Sequence, residues 1–111
     1  MNDLAAFVSA NFKTKFAFSD SFGSYPVTMG IRERQDGCYS IIIKAYGEGE
    51  GCHFKSYAQL EEALEELFAA YKNIYDIQHK ELSGFFNEAD RYTDQELWLR
   101  FDDLLRRVLA E

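Results

Sequence analysis

Proline is almost missing from this sequence: Pro26 is the only one among 111 residues. It breaks no helix-periodic stretch, and it marks the start of a strand, where its missing N–H is tolerated. Cysteine is equally scarce. Cys38 and Cys52 are too few for a disulfide framework, and thiols of a cytoplasmic protein stay reduced. With His53 and His79 they are the only soft metal ligands. A structural zinc site takes four ligands, commonly in CxxC or HxxxH pairs. The adjacent Cys52 and His53 would point to opposite faces of a strand. All four therefore read as independent core and surface residues, and neither metal nor cofactor is expected. A nucleophilic Cys–His pair has no local signature here. Long apolar runs are also missing, so no segment reads as a membrane span. The opening MNDLAAFVSANFK lacks the basic flank and apolar stretch of a signal peptide, from which we expect a cytoplasmic location.

Clustered basic charge is the fourth absence. Residues 1–56 carry six basic and six acidic side chains, whereas residues 57–111 carry six basic and thirteen acidic. The net charge of −7 thus lies in the C-terminal half. This argues against direct binding of a phosphate backbone, which needs grouped Lys and Arg, and suits a protein partner with a basic surface.

What is present is apolar and aromatic: 47% hydrophobic and 16% Phe, Trp and Tyr, which excludes disorder. The length fits one domain over 1–111, with no repeat or linker to divide it. The best-specified stretch is Ser56 to Tyr75. Leu60, Leu64, Leu67, Tyr71 and Ile74 fall on one helical face, widened by Ala63, Phe68 and Tyr75. Ser56 and Gln59 have the spacing of a capping box. Burying the five large side chains contributes roughly 1.5–3 kcal/mol each.

Ahead of it, residues 3–12 predict a helix with Asp3 as N-cap and Leu4, Phe7, Val8 and Phe12 on one face. Lys15 to Ser19 alternates as a strand, and Ser19 to Ser24 (SDSFGS) reads as a loop. Val27, Met29 and Ile31, then Tyr39, Ile41 and Ile43, alternate on either side of Gln35-Asp36-Gly37. A three-residue turn with glycine last pairs Ile31 with Ile41 and Met29 with Ile43, which puts both apolar sets on one face. The other face would show Thr28, Arg32, Arg34, Lys44 and Ile42. Gly47 to Gly51 is a second turn rather than a phosphate loop, since it lacks a GK[ST] ending and carries two glutamates. Cys52 to Lys55 would return as a short strand running into the helix. Asp76 to Tyr92 reads as a continuation or short helix, then a loop. Thr93 and Glu96 form a second capping box, followed by Leu97, Phe101, Leu104 and Val108 at helical spacing, with Trp98 and Leu105 beside them. The expected fold is α+β: an N-terminal helix, a three- to four-stranded antiparallel meander, then two or three helices packed on one face of the sheet.

Glu61, Glu62, Glu65 and Glu66 line the polar side of the central helix, with Asp102 and Asp103 on the last one. Like charges at i, i+4 cost a few tenths of a kcal/mol, and a place near a helix N-terminus returns a similar amount. A solvated face is the plain reading; a partner-binding face is the functional one. The carboxylates show no pocket that would mark them as acid/base catalysts.

One helix, a meander and acidic helices in a chain this small resemble the layout of phage-encoded anti-CRISPR proteins that inhibit Cas9. In that family acidic side chains occupy the nuclease's PAM-reading, DNA-binding surface. The resemblance implies a non-enzymatic inhibitor that engages a basic protein surface as a nucleic-acid mimic, and it rests on size, element order and charge. Bacterial immunity proteins and secretion chaperones are also small, acidic and α+β. Two other readings stay open: a small-ligand module or enzyme with an aromatic pocket between sheet and helices, and a homo-oligomeric domain joined by a sheet edge or the Trp98 helix.

Overall fold

The computed structural model describes residues 2–22, 25–45, 51–52, 55–81 and 92–110. The elements are α1 (Asn2–Asn11), β1 (Lys15–Phe22), β2 (Tyr25–Glu33), β3 (Tyr39–Ala45), β4 (Gly51–Cys52), α2 (Leu60–Glu81) and α3 (Asp94–Ala110). The fold is α+β. The strands form one antiparallel sheet in the order β1-β2-β3-β4, three long strands followed by a two-residue one.

The β2–β3 hairpin has the register that the turn chemistry predicts. Ile31 pairs with Ile41 and Met29 with Ile43. The Gly37 N–H donates to the Arg34 carbonyl at 3.1 Å, closing a tight turn over Gln35 and Asp36. Gly37 then takes φ +84°, the left-handed conformation in which a Cβ is strained. The Arg34 N–H reaches the Cys38 carbonyl at 2.7 Å, so three residues make the loop.

β1 runs further than its composition suggests. Ser19 to Phe22 remain paired with β2, Asp20 opposite Val27 and Ser21 opposite Pro26, where the sequence reads as a loop. Phe16 and Phe18 face the core, and Asp20 continues their row. At Gly30 the β1 backbone leaves no room for a side chain: a Cβ there would collide with the Phe16 carbonyl oxygen and the Ala17 backbone. On the outer face Arg32, Arg34 and Lys44 are exposed as expected. Ile42 is not: it is 1% exposed, flanked in register by Gly30 and Cys52, and lies outside the main core.

Two helix starts differ from expectation. α1 begins at Asn2, which moves Asp3 from the cap into the first turn. α2 begins at Leu60, and Ser56 is not its cap. Tyr57 instead exchanges both backbone hydrogen bonds with Tyr39 at 2.8 Å. That bridge holds the chain extended, so the first helical bond runs from the Ala63 N–H to the Gln59 carbonyl at 3.2 Å. The second capping box forms as its spacing predicts. The Thr93 N–H donates to the Glu96 carboxylate at 3.0 Å, and the Glu96 N–H to the Thr93 hydroxyl at 3.1 Å.

The core joins all three helices to one sheet face. Phe16, Phe18, Val27, Met29, Ile31 and Ile41 meet Leu4 and Val8 of α1, Ala63, Leu64, Leu67, Tyr71 and Tyr75 of α2, and Leu97, Phe101 and Leu105 of α3. Leu60, Phe68, Ile74, Leu104 and Val108 flank this set, half-buried. α2 lies against β2 and β3, and α3 against β1 and α1. The segment Asp76 to Tyr92 begins as a continuation of α2 through Glu81; its remainder to Arg91, the turn over Gly47 to Glu50, and His53 and Phe54 lie outside the described residues.

Candidate functional site

α2 presents its core residues on one side and Glu61, Glu62, Glu65 and Glu66 on the other, all four exposed. None is ion-paired among the described residues. Glu61 and Glu62 lie in the first turn, where the helix dipole favours them. Their i, i+4 neighbours Glu65 and Glu66 repel them by a similar amount.

The α3 acids differ. Arg106 Nε donates to Asp102 Oδ1 at 2.5 Å, and Arg107 Nε stands 3.0 Å from Asp103 Oδ2, both one turn along the same helix. Asp102 is only a quarter exposed, under an arginine that also lies over the Phe7 ring at 4.9 Å. Lys72 of α2 meets Asp94 at 2.8 Å. Asp102 and Asp103 are thus neutralised within α3 itself, and Asp94 by α2. The i, i+4 spacing of Asp102 with Arg106 and Asp103 with Arg107 is the sequence signal for the first two.

Of the six predicted residues, the fold brings three together. Glu62, Glu65 and Glu66 line a shallow groove of about 360 Å³ with Lys55, Ser56 and Tyr57. Glu61 lies on the same helix outside it, and Asp102 and Asp103 are elsewhere, on α3. Tyr57 was not foreseen as part of this face. Its backbone is fixed by the Tyr39 bridge and its ring is buried. Burial, and then the Glu66 carboxylate, push its phenol up from the ordinary tyrosine value. The Lys55 ammonium lies 5.6 Å from the ring centroid. A second groove, about 590 Å³, lies at the hairpin tip among Arg32, Glu33, Arg34, Gln35 and Asp36. Neither groove lies between sheet and helices, and several rings that would line such a pocket pack on one another. Phe68 meets Trp98 edge-on at 4.8 Å, and Phe18 meets Phe101 at 5.9 Å.

A third cluster escaped sequence reasoning. The Arg100 Nη2 and Nε groups donate to the two oxygens of Asp20 at 2.6 and 2.8 Å, and the Tyr71 hydroxyl donates to Oδ2 at 2.8 Å. The Asp20 side chain is 6% exposed and that of Arg100 40%. Arg100 also lies 5.7 Å from the Tyr92 ring, which stacks on Tyr75. Burial first, then the bond to Asp20, push the Tyr71 phenol strongly up, and the Asp20 hydrogen bond pushes Arg100 up. The phenol stays protonated and the guanidinium charged. Neither exchanges a proton near neutral pH, and the cluster ties β1 to α2 and α3.

Among the described residues no group of three or more His, Cys, Asp or Glu is arranged to hold a metal ion. Cys38 is a free, half-buried thiol. The side chains of Cys52, His53 and His79 lie outside the described set. No described helix is long and apolar enough to cross a membrane. No family model, curated protein or solved structure matches this chain.

Proposed function

We propose that this chain is a non-enzymatic recognition protein that engages a basic protein surface through the outer face of α2. One observation carries the reading: Glu61, Glu62, Glu65 and Glu66 are exposed together without a counter-ion among the described residues, while Asp102 and Asp103 of α3 are neutralised by Arg106 and Arg107. Four carboxylates on two turns of helix, none ion-paired among the described residues, favour a cationic partner. This narrows the surface expected from the sequence to α2. Asp102 and Asp103 act as internal partners for Arg106 and Arg107 and carry little of the contact.

The test is charge reversal of the four glutamates to lysine, with affinity measured for the partner recovered from the native host. Reversal is expected to abolish binding, and wild-type affinity is expected to fall steeply with salt. Unchanged binding by the reversed chain would overturn the reading. The anti-CRISPR-like form of the proposal adds that the partner's surface is one that binds nucleic acid. Competition by duplex DNA for the same partner supports it, and simultaneous binding of both sinks that form alone.

A further inference from the structure

Tyr57 has a feature that the fold itself does not use. The residue is 7% exposed, it lines the groove beside Glu62, Glu65 and Glu66, and its hydroxyl has no hydrogen-bond partner among the described residues. A tyrosine this buried usually satisfies its hydroxyl. Its backbone is fixed on the sheet, because its N–H and C=O are both held by Tyr39. Lys55 shows what the ring attracts: an ammonium drawn to it from within the chain.

These groups make a set of acceptors spread over an area rather than a point. Glu62 and Glu66 are one helical turn apart, with Cβ atoms about 5–6 Å from each other by helix geometry. They do not converge as metal ligands do. A compact ammonium reaches one or two such acceptors, whereas a guanidinium carries five N–H donors in a planar fork and stacks on aromatic rings.

We propose that the groove between Tyr57 and the first turns of α2 is a guanidinium subsite, which seats an arginine side chain of the basic partner between the Glu62, Glu65 and Glu66 carboxylates and the Tyr57 hydroxyl. The proposal rests on α2 being the partner-facing surface and gives that surface its specificity. The carboxylates accept some of its N–H groups, and the hydroxyl accepts a further one. The phenol is neutral there, since burial and Glu66 both disfavour its ionisation.

The test uses the full chain and two probes, an arginine-only and a lysine-only peptide of equal length. Binding is measured by calorimetry, and the Tyr57 ring is followed by NMR. The arginine peptide is expected to bind about tenfold more tightly and to shift the ring resonances. Tyr57→Phe removes only the unpartnered hydroxyl and is expected to keep the melting temperature while losing most of that preference. If that variant fails to fold, Glu62→Gln with Glu66→Gln, both at exposed positions, serves in its place. Equal affinity for the two peptides with the ring unmoved overturns the subsite and leaves the α2 surface standing. Undiminished peptide binding after reversal of all four glutamates overturns the surface, and the subsite with it.

Discussion

Asp20 puts a carboxylate where a third phenylalanine would continue the inward row of β1. A buried charge survives only with its lone pairs filled, and Arg100 and Tyr71 fill them. Replacing Arg100 by alanine removes the carboxylate's cationic partner. Breaking a fully buried pair costs about 3–5 kcal/mol; Arg100 is 40% exposed, so we expect about 2–3 kcal/mol. Tyr71→Phe is expected to cost about 1–2 kcal/mol. The double variant should depart from the sum, because both side chains bind one acceptor. Urea unfolding of the four chains measures all three statements; additive losses would show that Asp20 is not shared. The composition of SDSFGS concealed this residue by reading as a loop. Its period did not: Phe16, Phe18 and Asp20 fall at even positions of one strand.

The two capping boxes make a controlled comparison between elements. Both have the right spacing, yet Thr93 and Glu96 cap α3 while Ser56 caps nothing. We expect Thr93→Ala to lower stability by about 1 kcal/mol and Ser56→Ala to change it by less than about 0.5 kcal/mol, read from thermal unfolding. Equal losses would mean that α2 starts earlier than Leu60. The difference was not legible because a cap motif states a local preference, and the bridge from Tyr57 to Tyr39 is a long-range competitor. Where local and long-range preferences agree, the sequence sufficed. The period-2 phase of Val27 to Ile31 and Tyr39 to Ile43 and the Gly37 turn select one register, and the hairpin adopts it. The α2 stripe was legible for the same reason, and its glutamates followed as the residues left outside. Tyr57 was not, since only the assembled sheet edge places it beside them.

Over the whole molecule, alkaline pH acts on the fold through its tyrosines. Tyr71 and Tyr57 both hold phenols raised above the ordinary value near 10. Their neutral forms are favoured in the folded state, so the stability they contribute is complete below the unfolded-state value and lost as pH rises through the folded-state values. A chain already at −7 gains further self-repulsion over the same range. The melting temperature should therefore hold level to about pH 9 and fall above pH 10, with the Tyr71 phenolate absorbance appearing only as the chain unfolds. A phenolate that titrates fully at pH 10 in the folded chain would contradict the burial of Tyr71.

The paired backbone bonds between Tyr39 and Tyr57 set the mouth of the acidic groove on the same framework as the sheet. Its shape is therefore cast when the chain folds, and an arriving guest finds a mould rather than a loop to be tamed. Little ordering entropy is left for the encounter itself, and the empty and filled forms should share one backbone.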